Sequence, residues 1–118
     1  MDTLFQHGKA FFVFPFRVIY LLHNNNANAE TLQFGISVPK RNFKKAVHRN
    51  RIKRICREAY RLSKPSFKTT VITKKVVVHM MFMYTHVEQL SYQEVLTPMQ
   101  ECMKRMHTIV NELGRDII

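Results

Sequence analysis

Residues 44 to 62, KKAVHRNRIKRICREAYRL, constrain this chain more than any other stretch. On a helix, Ile52, Ile55, Cys56, Ala59 and Leu62 fall on one side, and Arg49, Asn50, Arg51, Lys53, Arg54, Arg57 and Arg61 sweep round the other. The apolar side needs cover from other elements, while the opposite side carries charges that have to stay in water or meet a counter-charge. From Lys40 to Lys68 there are twelve Lys or Arg and one acid, Glu58, a local charge of +11 that equals the net charge of the whole chain. The seven basic and seven acidic residues elsewhere cancel. The imbalance therefore marks a site and not a general solubility bias.

The cover comes from strands. KAFFV reads as a short strand before Pro15, and FRVIYLLH (16–23) is rich in β-branched and aromatic residues. NNNANA (24–29) is a polar turn and TLQFGISVP (31–39) a further strand, so these two strands are expected to pair as an antiparallel hairpin. Pro39 closes the strand, and the helix is expected from about Lys44 to Leu62. Pro65 is expected to stop it within a loop, SKPSFKTTVITKK (63–75). VVVHMMFMYT (76–85) is apolar almost throughout, as strands in a sheet centre are.

A last helix opens with a capping box, Ser91 followed three residues later by Glu94. Pro98 is expected to kink it or move its start, and Gly114 to end it. Its stripe of Val95, Met99, Met103, Met106, Val110 and Leu113 reads as core packing. At the other end, DTLFQHG (2–8) reads as the end of a helix capped by Gly8.

At 118 residues and 46% hydrophobic, the chain suits a single folded domain, residues 1–118. Cys56 and Cys102 stand apart and read as buried, reduced thiols, consistent with a cytoplasmic location. The histidines lack metal-binding spacing, so no metal site is expected. AFFVFPFRVIYLL looks superficially like a signal peptide, but Pro15 and Arg17 interrupt it and no small-residue cleavage site follows.

A one-sided basic helix can enter a DNA groove, lie on an anionic membrane or clamp the phosphates of folded RNA. The narrow apolar face is needed against the sheet, which disfavours a membrane. Strands flank the helix, which disfavours a helix-turn-helix. Folded RNA meets neither objection, and Arg suits its phosphates and 2′-hydroxyls. Carboxylates are scattered, and neither a nucleophile triad nor a glycine-rich phosphate loop can be read, so this chain's own side chains are not expected to catalyse hydrolysis.

The segment KKAVHRNRIKRICREAYRL resembles the Arg-Asn-Arg signature of the protein component of bacterial ribonuclease P. FGISVPKR resembles that family's strand leading into the helix, and LFQHGKAF the end of its first helix. The resemblance implies an α+β fold, a two-layer αβββαβα sandwich with the basic helix in a left-handed βαβ crossover. It implies a holoenzyme whose RNA subunit cuts precursor tRNA at the 5′ end with Mg2+, while the protein binds that RNA and the 5′ leader. By match to the motif, Arg49, Asn50, Arg51, Lys53, Arg54 and Arg57 would contact RNA, with Lys40, Arg41, Lys44 and Lys45 at the helix entrance. Arg61 continues the same face. Glu58, one turn from Arg54, would orient that arginine. Phe5 and Phe16 match positions lining the leader cleft, and simple core packing is the competing reading for both. Members of that family usually carry a longer basic N-terminal segment with a further aromatic ahead of the one matching Phe5; Met1 stands at that aromatic's position here, so the expectation is either a start further upstream or half a leader cleft. A monomer free of RNA, with neither DNA nor membrane as partner, completes the expectation. The competing reading is a non-catalytic binder of structured RNA, as in ribosome assembly.

Overall fold

A computed structural model describes residues 8–24 and 32–117. Its strands are β1 (Lys9–Val13), β2 (Phe16–Asn24), β3 (Leu32–Ser37) and β4 (Val76–Tyr84), and its helices α1 (Ala46–Lys74) and α2 (Tyr92–Ile117). They form one sheet in the order β1-β2-β4-β3, in which only β3 and β4 run parallel. The expected α+β class holds from its first strand onward, with α1 crossing between parallel strands. The helix end expected over residues 2–8 and the turn over 24–29 lie outside the described residues, apart from Gly8 and Asn24.

The expected hairpin of β2 with β3 does not form. β4 lies between them, and β2 pairs instead with β1 across a turn at Phe14 and Pro15. The reason is the composition of β4: a strand apolar on both faces removes most apolar area from water at the centre of a sheet. Its alternate residues Val76, Val78, Met80, Phe82 and Tyr84 join Phe16, Val18 and Tyr20 of β2 and Leu32 and Ile36 of β3 in the core. Both helices close over this face. α1 contributes Ile52, Cys56, Ala59, Tyr60, Phe67 and Val71, and α2 contributes Val95, Met99, Cys102, Met103, Met106 and Val110. The methionine stripe is core from Val95 to Val110, as expected, while the Leu113 side chain lies outside the described residues. Cys56 and Cys102 are free and buried, and burial pushes both thiols up to about 12.

α1 does not stop near Leu62. It runs through Pro65 to Lys74, and Leu62 itself is 54% exposed. An interior proline removes the bond to the carbonyl four residues back and costs about 3 kcal/mol. Burial of Phe67 and Val71, at about 1.5–3 kcal/mol each, offsets that cost. Thr70 Oγ1 lies 3.0 Å from His107 Nε2, which ties the distal turns of α1 to α2. The helix ends at Lys75, in the left-handed conformation with φ 56°, whose N–H reaches the Val71 and Ile72 carbonyls. β4 begins at the next residue.

At the start of α2 the capping box forms in both directions: Ser91 N donates to Glu94 Oε1 at 3.1 Å, and Glu94 N to Ser91 Oγ at 3.2 Å. The Ser91 N–H, and after it the Ser91 hydroxyl, hold the Glu94 carboxyl below its usual pKa. Pro98 sits inside this helix without moving its start, and Gly114 does not end it.

Candidate nucleic-acid interface

The site begins where β3 ends. After Pro39 the chain turns tightly, Asn42 N and Phe43 N both donating to the Pro39 carbonyl at 3.2 and 3.3 Å. Phe43 is buried, its ring 6.0 Å from that of Tyr84 at the end of β4. Tyr84 in turn donates to the Glu88 carbonyl at 2.6 Å and accepts from Leu90 N at 3.2 Å. The basic turn is thus pinned to the sheet by an aromatic residue, and Lys40, Arg41, Lys44 and Lys45 are left exposed around it.

α1 starts without the usual complement to its dipole. Lys45, the N-cap residue, makes no side-chain cap bond, and no acid occupies the first turn. Helix N-termini carry partial positive charge and free N–H groups, which acids commonly satisfy. Here lysines surround them. An anion, above all a phosphate, fits this end.

Arg49 has a structural task. Its Nη1 donates to the carbonyls of Phe43 at 2.6 Å and Lys44 at 2.9 Å, clamping the turn to the helix. Asn50, Arg51, Arg54, Arg57 and Arg61 are exposed, and Lys53 is half-exposed. Glu58 does not orient Arg54. Its two carboxylate oxygens take Arg61 in a fork, Oε1 2.5 Å from Nη2 and Oε2 3.1 Å from Nε. A fork uses both oxygens at once, so the i,i+3 partner wins over the i−4 one. This pairing lowers the Glu58 pKa and raises that of Arg61. Among the described basic side chains of α1, Arg61 alone has a carboxylate within salt-bridge distance.

Because α1 continues past Pro65, its basic face gains Lys64 and Lys68, which are expected in a loop from sequence. The signal was present in the spacing of Arg57, Arg61, Lys64 and Lys68, which repeats at helical intervals. Arg57 and Lys64 border an open groove beside β3, the outer strand among the described residues, with Leu32, Gln33, Phe34 and Tyr60 as its other walls. Phe34 and Tyr60 stack face to face, 3.9 Å between centroids. The buried Tyr60 hydroxyl has no hydrogen-bond partner.

Phe16 is not at a surface. It is wholly buried, edge-on to Phe82 at 5.5 Å and to Tyr84 at 6.3 Å, so no base can stack on it as it stands. Its aromatic, β-prone character served the core. Phe5 lies outside the described residues. Among the described residues, no three His, Cys, Asp or Glu side chains converge to hold a metal ion, and no helix is long and apolar enough to cross a membrane.

A four-stranded α+β sheet that turns one uncompensated basic helix to solvent defines a polyanion-binding protein. Comparison with known proteins specifies the polyanion. The family model described as Ribonuclease P matches residues 1–107. The ribonuclease P protein component of Porphyromonas gingivalis is 36% identical over 106 residues, covering 90% of this chain and 77% of that protein. That of Histophilus somni is 40% identical over 77 residues, covering 59% of this chain and 64% of the relative. The solved RNase P proteins of Staphylococcus aureus and Thermotoga maritima share the fold, with TM-scores of 0.66 and 0.67 at 20% and 19% identity. The first superposition covers 89% of this chain and 86% of that one, the second 88% of each. This chain belongs to the ribonuclease P protein family. It is a subunit of a ribonucleoprotein enzyme of tRNA processing, whose partners are an RNA subunit and precursor tRNA.

Proposed function

We propose that the exposed face of α1 and the turn before it are the RNA-binding surface of this subunit. Arg51, Lys53, Arg54 and Arg57 take phosphates of the RNA subunit, with Asn50 supplying a neutral donor and acceptor. Arg61 acts at the margin, half-neutralised by Glu58. Lys40, Arg41, Lys44 and Lys45, around the uncapped helix end, take the 5′ leader of precursor tRNA. Arg49 holds these two sets in register. The single observation that carries this reading is the uncompensated charge: twelve basic residues and one acid between Lys40 and Lys68, on one face of one helix and its entrance.

Chemistry belongs to the RNA subunit, with Mg2+ held there. This chain's residues bind, orient and neutralise phosphates and move no proton. Its site of action on this reading is the cytoplasm, as a monomer until RNA is bound, with folded RNA preferred over duplex DNA.

The test is reconstitution of the protein with the cognate RNA subunit and a precursor tRNA at low Mg2+. Stimulated cleavage at the mature 5′ end, lost in Arg51→Ala with Arg54→Ala, is the expected result. Tight RNA binding with no stimulation would instead support a structured-RNA binder outside tRNA maturation.

A further inference from the structure

The entrance of α1 has little to hold it, and its charges add to the difficulty. Across residues 39–51 every side chain but one is exposed or half-buried, and the exception is Phe43. The opening of α1, residues 46–51, thus has no fully buried side chain of its own. Lys45 makes no cap bond, and no acid occurs before Glu58 to relieve the repulsion among Lys40, Arg41, Lys44 and Lys45. A helix end with neither a side-chain cap nor a buried contact frays readily.

Phe43 joins this segment to the rest of the protein in three ways. Its N–H donates to the Pro39 carbonyl, its carbonyl accepts from Arg49 Nη1, and its ring lies tilted against Tyr84. Tyr84 is a firm seat. It is wholly buried and edge-on to Phe16, and its hydroxyl bridges the Glu88 carbonyl and Leu90 N in the loop before α2. At the next residue, Thr85 N and Oγ1 donate to the Pro15 carbonyl at 2.8 and 2.9 Å. The β1–β2 turn, the β3–α1 turn and the β4–α2 loop therefore all meet at the end of β4.

Such an arrangement bears on binding as well as on folding. A loose turn has to be ordered when its partner arrives, and gathering four cations adds repulsion to that ordering. A turn already in shape is spared both costs. Charge number and preorganisation leave different marks on affinity. The slope of log affinity against log salt counts the phosphates met, whereas preorganisation shifts affinity by the same factor at every salt concentration.

We infer that Phe43, seated on Tyr84, is a positioning residue that holds the entrance of α1 in its binding shape before nucleic acid arrives. It touches no ligand and acts through Lys40, Arg41, Lys44 and Lys45. The inference rests on the reading that these cations take the 5′ leader. The two fail differently, because removing charge tests the reading and removing the Phe43 ring tests the positioning.

The experiment compares holoenzyme carrying wild-type protein, Phe43→Leu, or Lys44→Ala with Lys45→Ala. Affinity for precursor tRNA with a single-stranded leader, relative to the same tRNA without one, is measured at several salt concentrations. Phe43→Leu keeps every charge and an apolar side chain but loses the ring. It is expected to weaken leader-dependent binding about ten-fold at each salt concentration, with the slope and the cleavage rate at saturating substrate unchanged. The double lysine variant is expected to lower the slope itself by roughly one to two, at about 0.7 for each single-strand phosphate. Wild-type affinity in Phe43→Leu, beside a lowered slope in the double variant, overturns the positioning role and leaves the leader reading standing. A lowered slope in Phe43→Leu overturns it too, because contacts are then lost outright. So does a lower saturating rate at unchanged affinity, which marks a smaller folded fraction. An unchanged slope in the double variant sinks the leader reading, and the positioning role with it. Should Phe43→Leu misfold, hydrogen exchange of the free wild-type protein decides. The Asn42 and Phe43 amides are expected to exchange more slowly than in an unfolded chain before any RNA is added. Exchange at unfolded-chain rates, slowing only on RNA binding, overturns the inference.

Discussion

Arg49 shows how one residue of a basic motif is claimed by the fold. Its guanidinium bonds two carbonyls of the turn that opens α1, while Arg51 and Arg54 have no such bond. Arg49→Ala is therefore expected to cost about 1–2 kcal/mol in urea unfolding, because the part-buried Phe43 carbonyl and the exposed Lys44 carbonyl lose a charged donor. Arg51→Ala and Arg54→Ala are expected to leave stability within about 0.5 kcal/mol and to weaken RNA binding. Equal stability of all three variants would show that the clamp is idle. The buried thiols and phenols make a second residue-level prediction. Cys56, Cys102, Tyr60 and Tyr84 are all pushed up to about 12 by burial, from 9.0 for the thiols and 10.0 for the phenols. The folded state therefore holds protons that the unfolded chain releases first, so stability is fully present below about pH 9 and falls as pH rises towards 12. Urea midpoints measured from neutral pH upward should decline across that window, and native protein should resist thiol alkylation until it unfolds. A flat alkaline limb with rapid alkylation would mean that the thiols are not buried in solution.

At the scale of elements, α1 records a contest between local and tertiary preferences. Pro65 disfavours helix at its own position, yet Phe67 and Val71 beyond it can be buried only if the helix continues. The proline ring is exposed and its burial adds nothing. Pro65→Ala is expected to raise stability by about 1–3 kcal/mol, read as a higher urea midpoint at unchanged m-value. A fall in stability would mean that the proline is itself needed for packing. The same contest explains what could be read in advance. Elements with strong periodicity were legible: the apolar stripe of α2, its capping box, the central placing of β4 and the one-sided charge of α1. The end of α1 was not, because a proline signal is local and the burial that overrides it lies on another helix. Strand order was not legible either, since the pairing of β4 between β2 and β3 joins segments far apart in sequence. The exposed basic residues of α1 and its entrance could be named beforehand because charge stays visible when the fold is unknown. The separate tasks of Arg49, Glu58 and Phe16 depend on neighbours that only the folded chain supplies.

For the whole molecule, the governing quantity is the +11 charge and its confinement to one side. Seven acids elsewhere balance the remaining basic residues, so the protein can present a strong local field without a uniformly cationic surface. On the proposed reading, repulsion along α1 is relieved by the RNA partner, which releases counterions as its phosphates are met. With about six phosphates neutralised, affinity for the RNA subunit is expected to fall on the order of 10³-fold between about 50 and 200 mM salt. Removing Arg51 and Arg54 together should reduce the slope of log affinity against log salt by about two, one for each lost contact. The Arg61 contribution should be smaller, since Glu58 already forks to it, and Glu58→Gln should steepen the slope. Titration of the RNA subunit at several salt concentrations, with wild type and these variants, measures all three. An unchanged slope in the double variant would place the phosphates elsewhere on the molecule. A slope that falls as predicted, with leader-bearing and leaderless tRNA still distinguished, would separate the proposed work of α1 on the RNA subunit from that of the basic turn on the substrate.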